Sequence, residues 1–270
     1  MNRLLRRSWI DLWGLWCIAS LPCFFRYVLA IARNTRRILR LGKLVPADAE
    51  MAGRKWTFTV EGTRLTICGR QFSGVREMYA RKVYFPIPEM HLHAGGTAID
   101  LGANCGLFTI LAGRLFDLVV AVEALDANID RLRDNLELNQ PTGRVELVHG
   151  LIGSGSGILS NPAVLRGQVD YRTEPIVVNM RGLMDRFSIR EVGFLKVDIE
   201  GSEFSLFEGQ PDWLDAVKKI AMEVHPAFGD SAQLVDSIRR NGYEVILLNR
   251  DQQRVAAIEA PAGTLVAFRR

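Results

Sequence analysis

The sequence predicts an α/β fold, in which helices pack on both faces of a doubly wound, mostly parallel sheet. Three observations support it. Short apolar segments alternate with helical segments from residue 97 onward, a glycine turn follows the first apolar segment, and acidic residues end several of them. Such alternation is typical of strands joined by helical crossovers. A chain of 270 residues, 48% apolar, suffices for one large domain and a smaller appendage.

Residues 1–50 are predicted to form a basic, amphipathic helical arm. Trp9, Trp13 and Trp16 are spaced to line one face of a helix. The uncharged run between Asp11 and Arg26 has 14 residues, fewer than the roughly 20 that span a bilayer. Four arginines repeat at helical spacing on a second face: Arg33, Arg36, Arg37 and Arg40. Two alternatives remain open: a helix lying in a membrane interface, or packing of the tryptophans on the main domain or a second subunit.

Charge is distributed unevenly. Residues 1–43 hold nine basic residues and one acid, a balance of +8, whereas the whole chain carries +4, which leaves −4 for the remainder. A nucleic-acid-binding body would be basic, so we expect no nucleic-acid partner. A membrane surface contacted through residues 1–43 and a homo-oligomer both remain candidate partners.

Residues 51–94 are predicted to form a hairpin and helix extension. Segments 56–60 and 64–68 alternate apolar and polar residues around a short turn, which favours a hairpin. A helix is expected over 71–84, and prolines then mark the entry to a main domain at 95–270.

The main domain is predicted to contain seven strands and four helices. The strands are expected at 98–101, 119–123, 145–149, 194–198, 219–225, 243–248 and 264–269. The helices are expected at 105–116, 126–138, 202–209 and 230–241. Residues 150–175 lack a clear period, and we interpret them as a mobile loop near a bound cofactor.

The stretch from Thr97 to Glu123 is the most informative part of the chain. A strand ends in Asp100, a glycine turn runs from Gly102 to Gly106, and a second strand ends in Glu123, 21 residues after Gly102. This layout builds a nucleoside-cofactor pocket at the mouth of a parallel sheet. Glycines allow close backbone approach to the ligand, free amides can receive a carboxylate, and an acid at Glu123 can accept from both ribose hydroxyls.

The turn favours S-adenosylmethionine (SAM) over a dinucleotide. Asn104 stands where a pyrophosphate-binding turn has its middle glycine, whereas SAM carries an amino acid that suits an acid and free amides. The residues expected to bind the cofactor are Asp100, Gly102, Ala103, Asn104, Gly106, Thr109, Glu123, Ala124 and Asp198.

Four ordered blocks resemble the FkbM-type methyltransferases. Residues 100–106 resemble that family's "D-GAN-G" block, 194–203 its "LK-ID-EG-E" signature, 221–226 its late acid-and-histidine strand, and 135–139 its "N-x-x-x-N" helix end. The resemblance covers roughly residues 95–270. Ala124 departs from it, since the family commonly has proline there.

The resemblance implies a seven-stranded, Rossmann-like methyltransferase sheet whose last strand is antiparallel. It also implies SAM-dependent methylation, mostly of hydroxyl oxygens on sugars, macrolides and other metabolites. The basic, apolar arm is the reason for including glycolipids among the expected acceptors. The alternative is a non-catalytic module of the same fold that docks at a membrane or a partner protein. Four cysteines without C-x-x-C spacing, together with the need for SAM, favour the cytoplasm, with peripheral contact at the inner face of the membrane.

His225 and Asp198 are the predicted catalytic residues. Both fall at strand ends, where ligands of open α/β sheets bind. Histidine is a natural base near neutral pH, so we expect His225 to take the hydroxyl proton and Asp198 to orient the acceptor or the histidine. No metal is predicted, although Asp198, Glu223 and His225 could hold magnesium or manganese. Lys196 is expected to pair with Asp198 or the substrate.

Overall fold

The computed structural model describes residues 3–152, 176–209 and 211–269, with side chains from residue 6 onward. Residues 153–175 of the loop expected at 150–175 lie outside this part of the chain. The chain forms two compact units. The first comprises the described residues up to 83 together with 133–140, and the second comprises 84–132 and the described residues from 141 onward.

The first unit contains four helices and a hairpin. Its elements are α1 (Arg3–Ile18), α2 (Leu21–Leu41), α3 (Val45–Glu50), β1 (Lys55–Val60), β2 (Thr63–Cys68) and α4 (Phe72–Val75). β1 and β2 pair antiparallel with Trp56 opposite Ile67, which confirms the expected hairpin. Among the described residues, no helix has both the length and the hydropathy needed to cross a bilayer.

The helix expected at 71–84 is shorter and irregular. α4 ends at Val75 and continues as one widened turn over Arg76–Ala80, closed by the Arg81 amide donating to the Arg76 carbonyl over 3.2 Å. Both arginines then reach the carboxylate of Asp11 in α1. The widened turn thus brings two cations to one buried acid, an arrangement that helical periodicity does not predict.

The "N-x-x-x-N" residues lie at the end of the helix over Asp126–Asn139 and bind the first unit through their side-chain amides. Asn139 accepts from the Thr66 amide and donates to its carbonyl over 2.8 and 2.9 Å. Asn135 donates to the side chain of Gln71 over 2.9 Å. These amides act as structural links within the first unit.

The second unit contains the main sheet. Its elements are β3 (Thr97–Leu101), α5 (Leu107–Ala112), β4 (Leu118–Glu123), α6 (Asp126–Asn139, whose end belongs to the first unit), β5 (Arg144–Ile152), β6 (Ile176–Val178), α7 (Met180–Arg186), β7 (Phe194–Val197), α8 (Glu203–Leu206), β8 (Lys219–Val224), α9 (Ser231–Arg240), β9 (Glu244–Leu248) and β10 (Gly263–Phe268). α7 was not expected. Asn179 caps its start, and the Asn179 side chain accepts from the Gly182 amide over 2.8 Å.

The sheet confirms the predicted fold class. Its order is β6-β5-β4-β3-β7-β8-β10-β9, and among the described strands β10 alone runs opposite to the rest. The central parallel strands β3, β4 and β7 are buried along almost their whole length, as is typical of strands covered by helices on both faces. The described part of the chain has eight strands in this sheet rather than seven, because β5 continues to Ile152 and its last residues pair with β6.

The connections reverse direction between β3 and β7. From β3 the chain proceeds through β4 to β5 on one side, whereas β7, β8 and β10 follow on the other. Ligands of open α/β sheets bind outside the strand ends at such a switch point. Asp100 lies opposite Lys196 in this pairing, so Asp198 follows at the tip of β7, beside the turn after β3, as expected.

Candidate active site

A cavity of about 240 Å³ opens at the ends of β3, β4 and β7. Gly102, Asn104, Glu123, Ala124 and Asp198 line it, which brings together five of the nine residues expected to bind a cofactor. The described charged residues of its lining are three acids, Glu123, Asp198 and Glu200, with no lysine, arginine or histidine among them. The cavity therefore favours a cationic ligand over an anionic one.

The glycines of the turn are required by the protein's own packing. Gly102 has φ +73°, and a Cβ there would lie 1.8 Å from the Asp198 carbonyl oxygen. Gly106 has φ +79°, and its Cβ would lie 2.6 Å from Cγ of Leu132. We expected these glycines to make room for a ligand. The structure shows that a Cβ at either glycine would collide with the protein itself, at the end of β7 or at α6.

The expectation of free amides in this turn is not met. The Gly102 and Ala103 amides both donate to the Val122 carbonyl, and the Gly106 amide donates to the Ala103 carbonyl. The Asn104 amide donates to Glu123 over 2.7 Å, and the Cys105 amide donates to the Asn104 side chain over 2.7 Å. A ligand carboxylate would have to displace one of these acceptors.

Glu123 lies in the cavity wall with both oxygens engaged. Oε2 accepts from the Asn104 amide, while Oε1 accepts from the Leu125 amide over 2.9 Å and from Asn128 over 3.1 Å. A carboxylate offers about four acceptor positions. One more donor can therefore bind directly, and a ribose that donates twice requires one protein donor to move away.

Asp100 lies beneath the cavity instead of lining it. The carboxylate is fully buried, accepts from the Thr109 hydroxyl over 2.6 Å and lies 3.1 Å from Nζ of Lys196. Burial opposes the charge of Lys196, but the carboxylates of Asp100 and Asp198 outweigh it and raise the lysine's pKa. Nζ also donates to the Gly102 carbonyl over 2.6 Å. Asp100 and Thr109 thus fix the lysine that holds the turn.

Asp198 connects this buried pair to the cavity. It is partly exposed, lies 4.0 Å from Nζ of Lys196 and accepts from the Tyr84 hydroxyl over 2.9 Å. Burial, followed by the charges of Asp198 and Glu223, raises the pKa of Tyr84 well above its usual value. Tyr84 is therefore a fixed donor to Asp198. The sequence does not predict this hydrogen bond, because it joins residues 114 positions apart.

His225 is held by a buried carboxylate. The buried side chain of Glu203 accepts from the His225 amide over 2.7 Å and lies 3.1 Å from Nδ1. Burial alone would lower the pKa of His225. The hydrogen bond to Glu203 and the charges of Glu203, Glu223 and Glu200 outweigh burial and raise it to about 9. These contacts favour the protonated imidazole, whereas a general base must be neutral.

The three potential metal ligands that the structure brings together differ from the three considered above, with Glu200 in the place of Glu223. Asp198, Glu200 and His225 have potential ligand atoms within 4.8 Å of one another. Glu223 instead lies 4.0 Å from Arg250. The strand expected at 219–225 ends one residue earlier, since β8 ends at Val224.

Glu200 is the third acid of the cavity. Burial and the negative charge of Asp198 raise its pKa, against the effect of His225. Its side chain is more than half exposed, and Oε2 lies 3.5 Å from Nε2 of His225. A carboxylate with a raised pKa that faces a cavity is suited to accept a proton.

This sheet order, with one antiparallel strand and an acidic cavity at the switch point, defines a Rossmann-like methyltransferase. Comparison with known families gives the particular one. Residues 100–245 match the methyltransferase FkbM domain, and the chain belongs to that family.

One curated relative is the hexuronic acid methyltransferase AglP of Haloferax volcanii. It is 22% identical over 218 residues, which are 78% of this chain and 87% of the relative. Among solved structures, a precorrin-6y C5,15-methyltransferase from Geobacter metallireducens is 14% identical, with a TM-score of 0.41 and coverage of 70% of this chain and 87% of that one. An rRNA methylase from Streptococcus thermophilus is 10% identical, with a TM-score of 0.43 and coverage of 72% and 96%.

Proposed function

We propose that this methyltransferase uses SAM to methylate a hydroxyl oxygen of a sugar, a glycolipid or a related metabolite. The observation that carries the cofactor assignment is the charge of the cavity. Three acids and no base line its described part, so phosphate groups would be repelled, whereas a sulfonium and an ammonium group would be attracted. The volume of about 240 Å³ also suits a single nucleoside better than a dinucleotide.

The residues present fit SAM in their chemistry. Glu123 would accept from the ribose, as its position at the end of β4 predicts. Val122, Ala124 and Leu151 offer apolar surface for the adenine. Asp198 and Glu200 supply negative charge opposite the turn. When bound, SAM supplies an activated methyl group, so the protein's task is to orient the acceptor and to take its proton.

The proton acceptor that we favour is a carboxylate. Glu200 has a raised pKa and faces the cavity, and Asp198 is oriented by the Tyr84 hydroxyl. Protonated His225 then holds Glu200 in place. The earlier prediction of His225 as the base remains open, because a bound sulfonium cation would lower the pKa of a neighbouring histidine.

A sugar acceptor is suggested by the relative from Haloferax, whose name states hexuronic acid methylation. Sugar hydroxyls are weak acids, and an acceptor of this kind explains why several proton-accepting groups stand at one cavity. The cytoplasm is the proposed location, since the four cysteines are free and the proposed reaction requires SAM.

Calorimetric titration of the purified protein with SAM tests the cofactor, with NAD as the phosphate-bearing control. We expect SAM to bind and NAD to show no heat. Radiolabelled SAM is then incubated with glucuronic acid and with a glycolipid extract, and label is followed in each. Absence of SAM binding would overturn the proposal. SAM binding without transfer to either acceptor would favour the non-catalytic module.

A further inference from the structure

Helix α1 exposes a row of tryptophans. Trp9 is 66% and Trp13 is 61% exposed, and Trp16 is about half exposed. The opposite side of the helix buries Asp11 and Leu15. The helix is therefore anchored by one face, while large aromatic side chains on the other face lie in solvent. Contiguous exposed apolar surface of this kind marks an interaction site.

Helix α2, like α1, has one buried face and one exposed apolar face. One face is buried through Cys23, Tyr27, Ala30, Asn34 and Ile38. The opposite face exposes Leu21, Phe25, Val28 and Leu29, with Phe25 at 57%. A soluble helix would carry polar residues there.

The two exposed rows are continuous. The rings of Trp16 and Phe24 meet edge to face with centroids 5.1 Å apart, and Phe24 meets Phe25 at 5.8 Å. We call the joined surface the aromatic face. It consists of Trp9, Trp13, Trp16, Leu21, Phe25, Val28 and Leu29.

Unpaired cations follow directly along α2. Arg36, Arg37 and Arg40 are exposed, and no ion pair within the described part of the chain involves them. Arg33, by contrast, is bound to Glu50 over 2.6 Å. α2 contains no acidic residue, and the one acid of α1, Asp11, is buried. Neither helix therefore adds an exposed acid to this end of the surface.

We propose that the aromatic face docks the first unit on an anionic lipid bilayer, with α1 and α2 lying in the interface. Tryptophans prefer the headgroup level of a membrane, and arginines beside them bind lipid phosphates. A second copy is a poorer occupant. A contact between two copies of this surface would offer no exposed acid of α1 or α2 to pair with these arginines.

Vesicle flotation of the full-length protein tests the proposal. Vesicles of phosphatidylcholine alone are compared with vesicles containing 30% phosphatidylglycerol. We expect binding only to the anionic vesicles, weakening as salt rises. The R36Q/R37Q/R40Q variant should lose about fivefold in affinity per arginine removed. The matched control, R190Q/R239Q/R254Q, removes the same charge from exposed sites of the second unit and should bind like the wild type.

A second pair of variants tests the aromatic face itself. W9Q/W13Q should lose at least tenfold in vesicle affinity, since two large apolar side chains leave the interface. V177Q, which changes an exposed apolar residue of the second unit, should have no effect. Equal binding of wild type to both vesicle types, or to neither, would overturn the proposal. So would W9Q/W13Q converting a dimer to a monomer in sedimentation with no change in vesicle binding.

Discussion

Each unit contains a cluster of buried charged side chains, and the two clusters are built from the same kinds of side chain but differ in charge balance and in access to ligand. In the first unit, Asp11 pairs with Arg76 and Arg81, and Arg76 also pairs with Asp48. The two acids and two bases balance, and all four side chains are buried. Tyr27 donates to Asp48 over 2.8 Å and completes the cluster.

In the second unit, the cluster is unbalanced and open on one side. Lys196 faces Asp100 and Asp198, which leaves one negative charge in excess, and Asp198 reaches the cavity. Tyr84 donates to Asp198 just as Tyr27 donates to Asp48. The first cluster can only hold the fold together. The second has an unmatched carboxylate where a ligand can approach, and such groups mark functional sites.

The largest expected effect follows from breaking the balanced cluster. D11N leaves Arg76 and Arg81 buried without their shared acid, and we expect the free energy of unfolding to fall by about 3–5 kcal/mol. Urea unfolding followed by circular dichroism measures it. D236N, at an exposed acid of α9, should change stability by less than about 0.5 kcal/mol. Similar midpoints for the two variants would show that the Asp11 cluster contributes little.

Asp198 belongs to the cluster that faces the cavity, so we expect its replacement to reduce activity more than stability. D198N keeps an acceptor for Tyr84, so stability should change by about 1 kcal/mol or less. Methyl transfer should fall by about 10²- to 10⁴-fold in kcat if a carboxylate accepts or positions the proton. Transfer from labelled SAM and urea unfolding are measured on the same preparation. A large loss of stability would place Asp198 with Asp11 as a structural acid.

The pH profile of the same assay distinguishes the two candidate bases. If Glu200 or Asp198 accepts the proton and protonated His225 supports it, the rate should rise in the acid range and fall as His225 loses its proton near pH 9. If His225 is the base, the rate should increase through that pH. H225Q should abolish the alkaline change in either case and keep activity only if a carboxylate is the base.

A smaller effect is expected at Glu123. E123Q keeps the size of the side chain and removes its charge, and hydrogen bonds to charged groups are worth about 1.5–3 kcal/mol. SAM affinity measured by calorimetry should therefore fall by about 10- to 100-fold. E208Q, at an exposed acid away from the cavity, is the control. Unchanged affinity in E123Q would mean that the cofactor's sugar is not held at this strand end.

The sequence was sufficient where the pattern is local or follows from sheet geometry. Alternating strands and helices predict the parallel sheet, and parallel pairing alone places Asp100, Glu123 and Asp198 at one edge. Contacts distant in sequence were not predictable. Tyr84 reaches Asp198, and Arg76 reaches Asp11, across gaps of 114 and 65 residues that no period links. The strand expected to include His225 ends one residue earlier, at Val224.

The smallest effect concerns the stability contributed by His225. Its pKa is about 6.5 in an unfolded chain and about 9 in the folded protein. The folded state thus holds the proton more tightly. The stabilisation is fully present below pH 6.5 and is lost as pH rises through 9. Allowing for partial solvent screening, we expect a loss on the order of 1–2 kcal/mol between pH 6 and pH 9.5.

Urea unfolding at both pH values measures this loss, with H93Q, at an exposed histidine, as the control. H225Q should reduce the pH dependence by that amount and H93Q should leave it unchanged. Equal pH dependence in both variants would mean that Glu203 does not hold the imidazolium in the folded protein.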